Sequence, residues 1–582
     1  MRAFLFATLV ASGLVGCATP TIAPITTPPP ASQVLSESDP SASQIEAITT
    51  EEVPIPDALL FDFLVAEFAL RQGRYREALD LYQRLAEQVN DVNVSARAAR
   101  IAQFLGDENA VTTLVQLWLT QEPDNPEAGR LAGVLALRRG AGTAAFNYFF
   151  SAFEEGAPVD FGMLARAYSQ LSEEEKHTLK LSIDEQLEEE APTALIFARA
   201  LIAAEDTEEQ RALALLDQIL DDDPENLQAI MLQARMQLNL GYPEPLRALG
   251  EAVSKRESNE ILRRHYAQLL ASVDLNEART QYERLSASHP EQGDYVMALA
   301  LINKEMGDAL AAKAYLRQCL QLGCPADEIH YNLGELEQEA GASQAAIEHY
   351  RAVGDSAYFL VANRRVAALF LQSQQYRSLH QHFANQRELH PRRAEQLFAL
   401  EAQALSTAQQ HQSTLELLNQ ALGLYPNSES LRYARAMTAQ SLGDLDQLER
   451  DLSTILALSP NNATVLNALG YTLADQTDRL EEGRALIERA FELAPDEPAI
   501  MDSLGWVLFK LGEFERAYYY LDKAYRLLPD PEIAAHLGEV LIALNRVDEA
   551  IAIWQEAIVV APDHATLIAT IERLKPSLLS PQ

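Results

Sequence analysis

Between Ile500 and Asp530 the chain reads IMDSLGWVLFKLG followed by EFERAYYYLDKAYRLLPD, and its apolar positions fall into two helical stripes. Leu504, Gly505 and Leu508 share one face of a first helix that ends at Gly512. Phe514, Ala517, Leu521 and Ala524 share a face of a second helix, which stops before Pro529. Small residues at 505 and 517 let two helix backbones approach where a leucine would hold them apart. Leu508 and Leu521 fill the space beside that crossing. Such a helix pair leaves apolar surface open until another pair stacks on it.

The same beat runs along the chain. Prolines recur at Pro391, Pro426, Pro460, Pro495, Pro529 and Pro562, in steps of 33 to 35 residues. Glycines at Gly73, Gly106, Gly140, Gly241, Gly307, Gly341 and Gly443 keep that spacing or near-multiples of it, as do alanines at Ala78, Ala145, Ala212, Ala278, Ala312, Ala346, Ala517 and Ala550. Three residue types in one register mark an internal repeat, with about fifteen starts between roughly 59 and 531. β-Branched runs bounded by turn residues are scarce, so the fold class is all-α.

The pattern resembles the tetratricopeptide-repeat family, whose unit is a helix–turn–helix of about 34 residues. The match is best over 463–562, where NALGYTL, DSLGWVL and AHLGEVL stand as first helices. RALIERAFELAPD, RAYYYLDKAYRLLPD and EAIAIWQEAIVVAPD stand as second helices; one unit carries Gly483 where alanine is usual. The resemblance implies a solenoid of stacked helix pairs forming a superhelix. We expect one array over 54–192 and another over 193–576, closed by the capping helix HATLIATIERLKPSLL. The acidic stretch 160–192 lacks the small residues and reads either as a hinge or as a divergent repeat.

The N-terminus carries a different signal. MRAFLFATLVASGLVGC has a basic start, a short apolar run and then LVGC, which resembles the lipobox of bacterial lipoproteins. That resemblance implies a signal peptide over 1–16 and acylation of Cys17. With Ala18 next, it also implies an outer-membrane location facing the periplasm. Residues 17–53 are rich in proline, serine and threonine and have no apolar period, so they are expected to be a disordered tether.

The net charge of −38 excludes a nucleic-acid binder, which needs clustered cations on phosphates. It suits an acidic, solvated surface, or a basic protein partner. No phosphate-binding glycine loop, nucleophile elbow or zinc-protease helix is present, and the reading is of a non-enzyme without cofactor. His380, His382 and His390 form the closest histidine group; the first two point to opposite sides of one helix, so no metal site is expected. Cys319 falls where a small buried residue is preferred. A periplasmic location permits a disulfide to Cys324, provided the chain turns at Gly323.

In the family, first helices line a concave face. The resemblance therefore nominates Tyr433 and Met437, then Asn467 and Tyr471, then Asp502, Trp506 and Phe509 as partner-binding residues. The alternative is that Trp506 and Phe509 pack against the neighbouring pair. The family's clamp for free carboxylates is not carried over, since only Asn332, Asn467 and Lys510 hint at it. Anchor, tether and array together are similar to the lipoprotein adaptors that serve the periplasmic carboxyl-terminal processing protease. That likeness implies a scaffold bringing the protease to peptidoglycan-hydrolase substrates. A secretion, pilus or polysaccharide-export assembly lipoprotein at an outer-membrane pore is the alternative.

Overall fold

The computed structural model describes residues 57–188 and 191–576, so Cys17, the signal peptide and the tether lie outside the described residues. The described residues form thirty-one α-helices, one short 3-10 helix at Pro391–Arg393, and no strand. They fall into two compact units divided between Leu322 and Gly323.

Local chemistry explains why the helices begin and end where they do. First helices open on short polar side chains that accept from the new helix's amides: Asn125 from Glu127 and Ala128, Asn462 from Val465, Asp530 from Glu532. Pro126, Pro498 and Pro531 occupy first-turn positions where no amide donor is lost. The glycines of the periodic register, Gly73 through Gly512, take left-handed φ between 67° and 83°, which turns the chain into the second helix.

Within each pair, a second glycine sets the crossing. A Cβ on Gly505 would lie 2.5 Å from Leu521 Cγ and 3.1 Å from the Ala517 carbonyl oxygen. Gly133, Gly334 and Gly538 lie in the same way beneath Phe149, Tyr350 and Trp554, each sixteen positions further on. At Gly470 the other helix contributes backbone: a Cβ there would stand 2.7 Å from the Gly483 carbonyl oxygen, and a Cβ on Gly483 would stand 2.6 Å from the Gly470 carbonyl oxygen, which explains the glycine at 483. Leucine at these positions would push the pair apart and open voids beside it.

In the first unit, the acidic stretch is built into the core. Phe161, Leu164, Tyr168, Leu171, Leu179 and Ile183 are buried together with Phe149 and Leu195. Above them the buried Arg199 guanidinium donates twice to Asp184, each at 3.0 Å, and reaches Glu208. Lys180 bonds to Asp206 and Glu208, and Tyr168 donates to Asp206 at 2.8 Å. Side-chain ties between Tyr168 and Glu208 replace the small-residue crossings this segment lacks.

The second unit is pinned by buried carboxylates. Glu401, with no exposed surface, meets His380 and Arg387 from the preceding helix Tyr376–Leu389. Asp451 is held by Arg432 at 3.4 Å and by both Arg435 and Gln447. A buried acid is tolerated only when paired and hydrogen-bonded in this way.

Candidate protein-binding surface

In the second unit, the first helices of four successive pairs are Glu429–Ser441, Ala463–Gln476, Pro498–Lys510 and Pro531–Ala543. Setting their Leu-Gly steps in register, with Arg435-Ala436 in the first, aligns Tyr433, Asn467, Asp502 and Ala535 in one stripe. Met437, Tyr471, Trp506 and Glu539 form the next.

The two halves of this face differ. Tyr433 and Met437 are half-buried, resting on the core of Ala436, Leu452, Val465 and Leu469. Burial lifts the Tyr433 phenol above its ordinary range. Beside them Asn467 is partly exposed, yet its Oδ1 is buried and accepts no hydrogen bond from the protein's own groups.

Further on, the face is closed by its own residues. Trp506 is 9% exposed, and its ring stacks on His536 from the next pair and on Phe509. Its indole N–H donates to Asp475 at 2.9 Å. The Lys510 ammonium donates to the same carboxylate at 2.9 Å and to the carbonyl oxygens of Ala474 and Asp475. Burial pushes the Asp475 pKa up, but Lys510 and Trp506 outweigh it and hold it below the usual carboxylate range. Asp502 is buried and meets His536 Nδ1 at 2.9 Å. Burial disfavours the imidazolium, yet Asp502, helped by Glu532 and Asp475, holds the His536 pKa above its ordinary value.

Tyr471 reaches two pairs onward. Its hydroxyl bonds to Glu532, and its ring lies 6.4 Å from that of His536. First helices of alternate pairs thus converge here, which places this face on the inside of the local bend.

Two nominated residues are therefore corrected: Asp502 and Trp506 are not open anchors. The neighbouring pair covers both, because His536 fills the space in front of Trp506 and takes the Asp502 charge. Phe509 and Tyr471 remain partly exposed at the edge of this cluster. His536, Asp475 and Glu532 were missed by the sequence reading. The signal was present: His536 occupies the register position of Ser503 and Ala468, which are small in the two preceding pairs.

The histidine and cysteine candidates take structural parts. His382 is buried with Nε2 2.8 Å from Asn363 Oδ1; burial, with Arg351 nearby, pushes its pKa down to about 3. His380 bonds to Glu401, which raises its pKa, and the His390 ring lies 4.5 Å from that of Phe359. No group of three metal-ligating side chains is assembled among the described residues. Cys319 is buried and its thiol donates to the Gly293 carbonyl oxygen at 3.4 Å, while Cys324 is partly exposed. Cys319 serves as the small side chain its position demands.

In the first unit, a groove of about 930 Å³ opens beside the nine-residue helix Arg247–Lys255. Tyr266 and Leu270 line it, and Glu251, Asp274 and Glu277 lie among its charged residues with Arg247 and Arg284.

Comparison with known proteins places this architecture. Tetratricopeptide-repeat models match residues 37–93, 467–532 and 503–566, and a further one matches 294–322. The TPR repeat-containing protein PA4667 of Pseudomonas aeruginosa is 33% identical over 483 residues, covering 82% of each chain. The chain belongs to the tetratricopeptide-repeat family. Bacteriophage adsorption protein A of Escherichia coli is 29% identical over 111 residues, 19% of this chain and 11% of its own. A solved TPR protein of Thermus thermophilus aligns with 32% of this chain and all of its own, at 26% identity and a TM-score of 0.29. Repeat proteins of this family are interaction scaffolds, generally without catalysis of their own.

Proposed function

We propose that this repeat protein is a non-catalytic adaptor, anchored in the outer membrane through acylated Cys17. On its periplasmic side it would hold a processing protease together with peptidoglycan-hydrolase substrates. The observation that carries the binding role is partly exposed Asn467 beside half-buried Tyr433 and Met437. That arrangement offers a partner's chain an apolar shelf edged by a polar side chain. The LVGC motif supports the anchor, and the proline-rich segment that follows supports a stand-off from the bilayer.

The test is recovery of partners from a membrane fraction by the wild type and by Asn467→Ala and Tyr433→Ala, with Cys17→Ser as the anchoring control. The reading expects a periplasmic protease among the partners and weaker recovery by both surface variants. It also expects Cys17→Ser to release the protein from the membrane. Purified protein should cleave neither murein nor peptides until the protease is added. Recovery of an outer-membrane pore complex in place of a protease would overturn the adaptor reading.

A further inference from the structure

His330 and His349 stand opposite each other within one helix pair of the second unit, on Ala326–Glu339 and Ser343–Arg351. Their Nδ1 atoms are 3.2 Å apart, and the rings lie 5.5 Å apart with 33° between their planes. The packing around them fixes this approach. Ile329 and Tyr350, next to them in the chain, are buried. One helical turn beyond His330, Gly334 lies beneath the Tyr350 ring, where a Cβ would come within 2.6 Å of it, so the two helices cross closely beside the histidines. Both imidazoles are themselves partly exposed.

Two nitrogen lone pairs cannot face each other at this distance without a proton or a cation between them. With a proton, one ring carries its N–H at Nδ1 and donates to the other. A metal ion fits the same gap. Zinc–nitrogen bonds of about 2.0–2.1 Å set two nitrogens about 2.8–3.4 Å apart for bond angles between about 90° and 109°. The observed separation falls inside that span.

We infer that His330 and His349 form a two-imidazole site for a divalent transition-metal ion of the zinc, nickel and copper class, with water completing the coordination. Imidazole suits these ions, whereas magnesium and calcium take oxygen ligands. The change is balanced: the ring protonated at Nδ1 passes that proton through solvent to its own Nε2, and both Nδ1 lone pairs turn to the ion. Two protein ligands leave the remaining positions to water, so the site exchanges its metal and is not a closed structural cage. His380 and His382 offer no such pair, being engaged by Glu401 and Asn363. Nineteen positions separate His330 from His349, so no short motif announces them.

Calorimetric titration of zinc chloride into the metal-free full-length chain tests this, zinc being redox-inert. His330→Gln and His349→Gln should each weaken the site roughly tenfold or more, since losing a ligand costs at least as much as losing a ligand's orienting partner. His177→Gln, at an exposed histidine of the first unit, should change nothing. Zinc should also raise the urea midpoint of the second unit in the wild type and in neither site variant. Selective isotope labelling of the histidine nitrogens reads the wild type directly: zinc should shift the Nδ1 signals of His330 and His349 together and leave both Nε2 atoms protonated. Nδ1 signals unmoved by zinc overturn the inference. So does zinc binding that survives both substitutions, which would assign the ion to other donors.

Discussion

The Trp506 ring lies 4.1 Å from that of His536, with 21° between their planes, and the two belong to first helices of successive pairs. This stack, fastened below by Asp475 and Lys510 and behind by Asp502, turns part of the expected binding face into a joint between pairs.

Trp506→Ala should therefore act on stability. It removes a buried aromatic and leaves the Asp475 carboxylate with one donor fewer. A loss of about 3–5 kcal/mol in the unfolding of the second unit is expected by denaturant titration. Tyr433→Ala, on the half-buried part of the same face, should cost clearly less.

Asn467→Ala separates binding from folding. Its Oδ1 has no internal partner to lose, so stability should change by less than about 1 kcal/mol. Affinity for a partner using this face should fall by about 1–3 kcal/mol, measured by calorimetry once a partner is in hand. A large stability loss with unchanged affinity would contradict this assignment.

The buried histidines should respond to acid in opposite senses. His382 is held neutral, with its pKa pushed from 6.5 to about 3. Between these values the unfolded chain binds the extra proton, so acidification costs about 1.4 kcal/mol per pH unit at this site. Against His382→Asn, the wild type should thus lose relative stability from pH 7 to pH 5. His536 and His380 have raised values, so their contributions are complete below the ordinary histidine pKa and fade as pH climbs through the folded value. Against His536→Asn, the wild type should gain relative stability over the same acid step. Denaturant midpoints at the two pH values check both signs.

Two glycine substitutions should differ in sign. On Gly538, a Cβ would meet the Trp554 indole at 2.2 Å, and Trp554 is fully buried. Gly538→Ala should cost at least about 1–3 kcal/mol through overpacking. Gly423, near the end of the helix His411–Leu424, has nothing within 4 Å of such a Cβ. Gly423→Ala should stabilise by up to about 1 kcal/mol through helix propensity, read from the melting temperature.

Most of the fold was legible in the chain because its determinants are local and repeated. A glycine such as Gly512 announces a left-handed turn wherever it stands, and an Asn or Asp before a first helix announces a cap. The crossing of Gly505 on Ala517 and Leu521 follows from residues less than five turns apart. Even Cys319 behaved as its register position implied. The acidic stretch was harder, because its ties run from Arg199 and Lys180 to Asp184, Asp206 and Glu208 and leave no periodic trace.

The sequence by itself determined that this is an all-α array of helix pairs, where its glycines turn the chain, and that Gly505 lies under a crossing. Each of those outcomes depends on sterics and hydrogen bonds within one short segment. Only the tertiary structure decided that Trp506 and Asp502 face a neighbour while Tyr433, Met437 and Asn467 stay partly open. A helical stripe tells which side chains share a side, but not what stands opposite. Here a single imidazole from the following pair, placed by the bend of the stack, makes the difference.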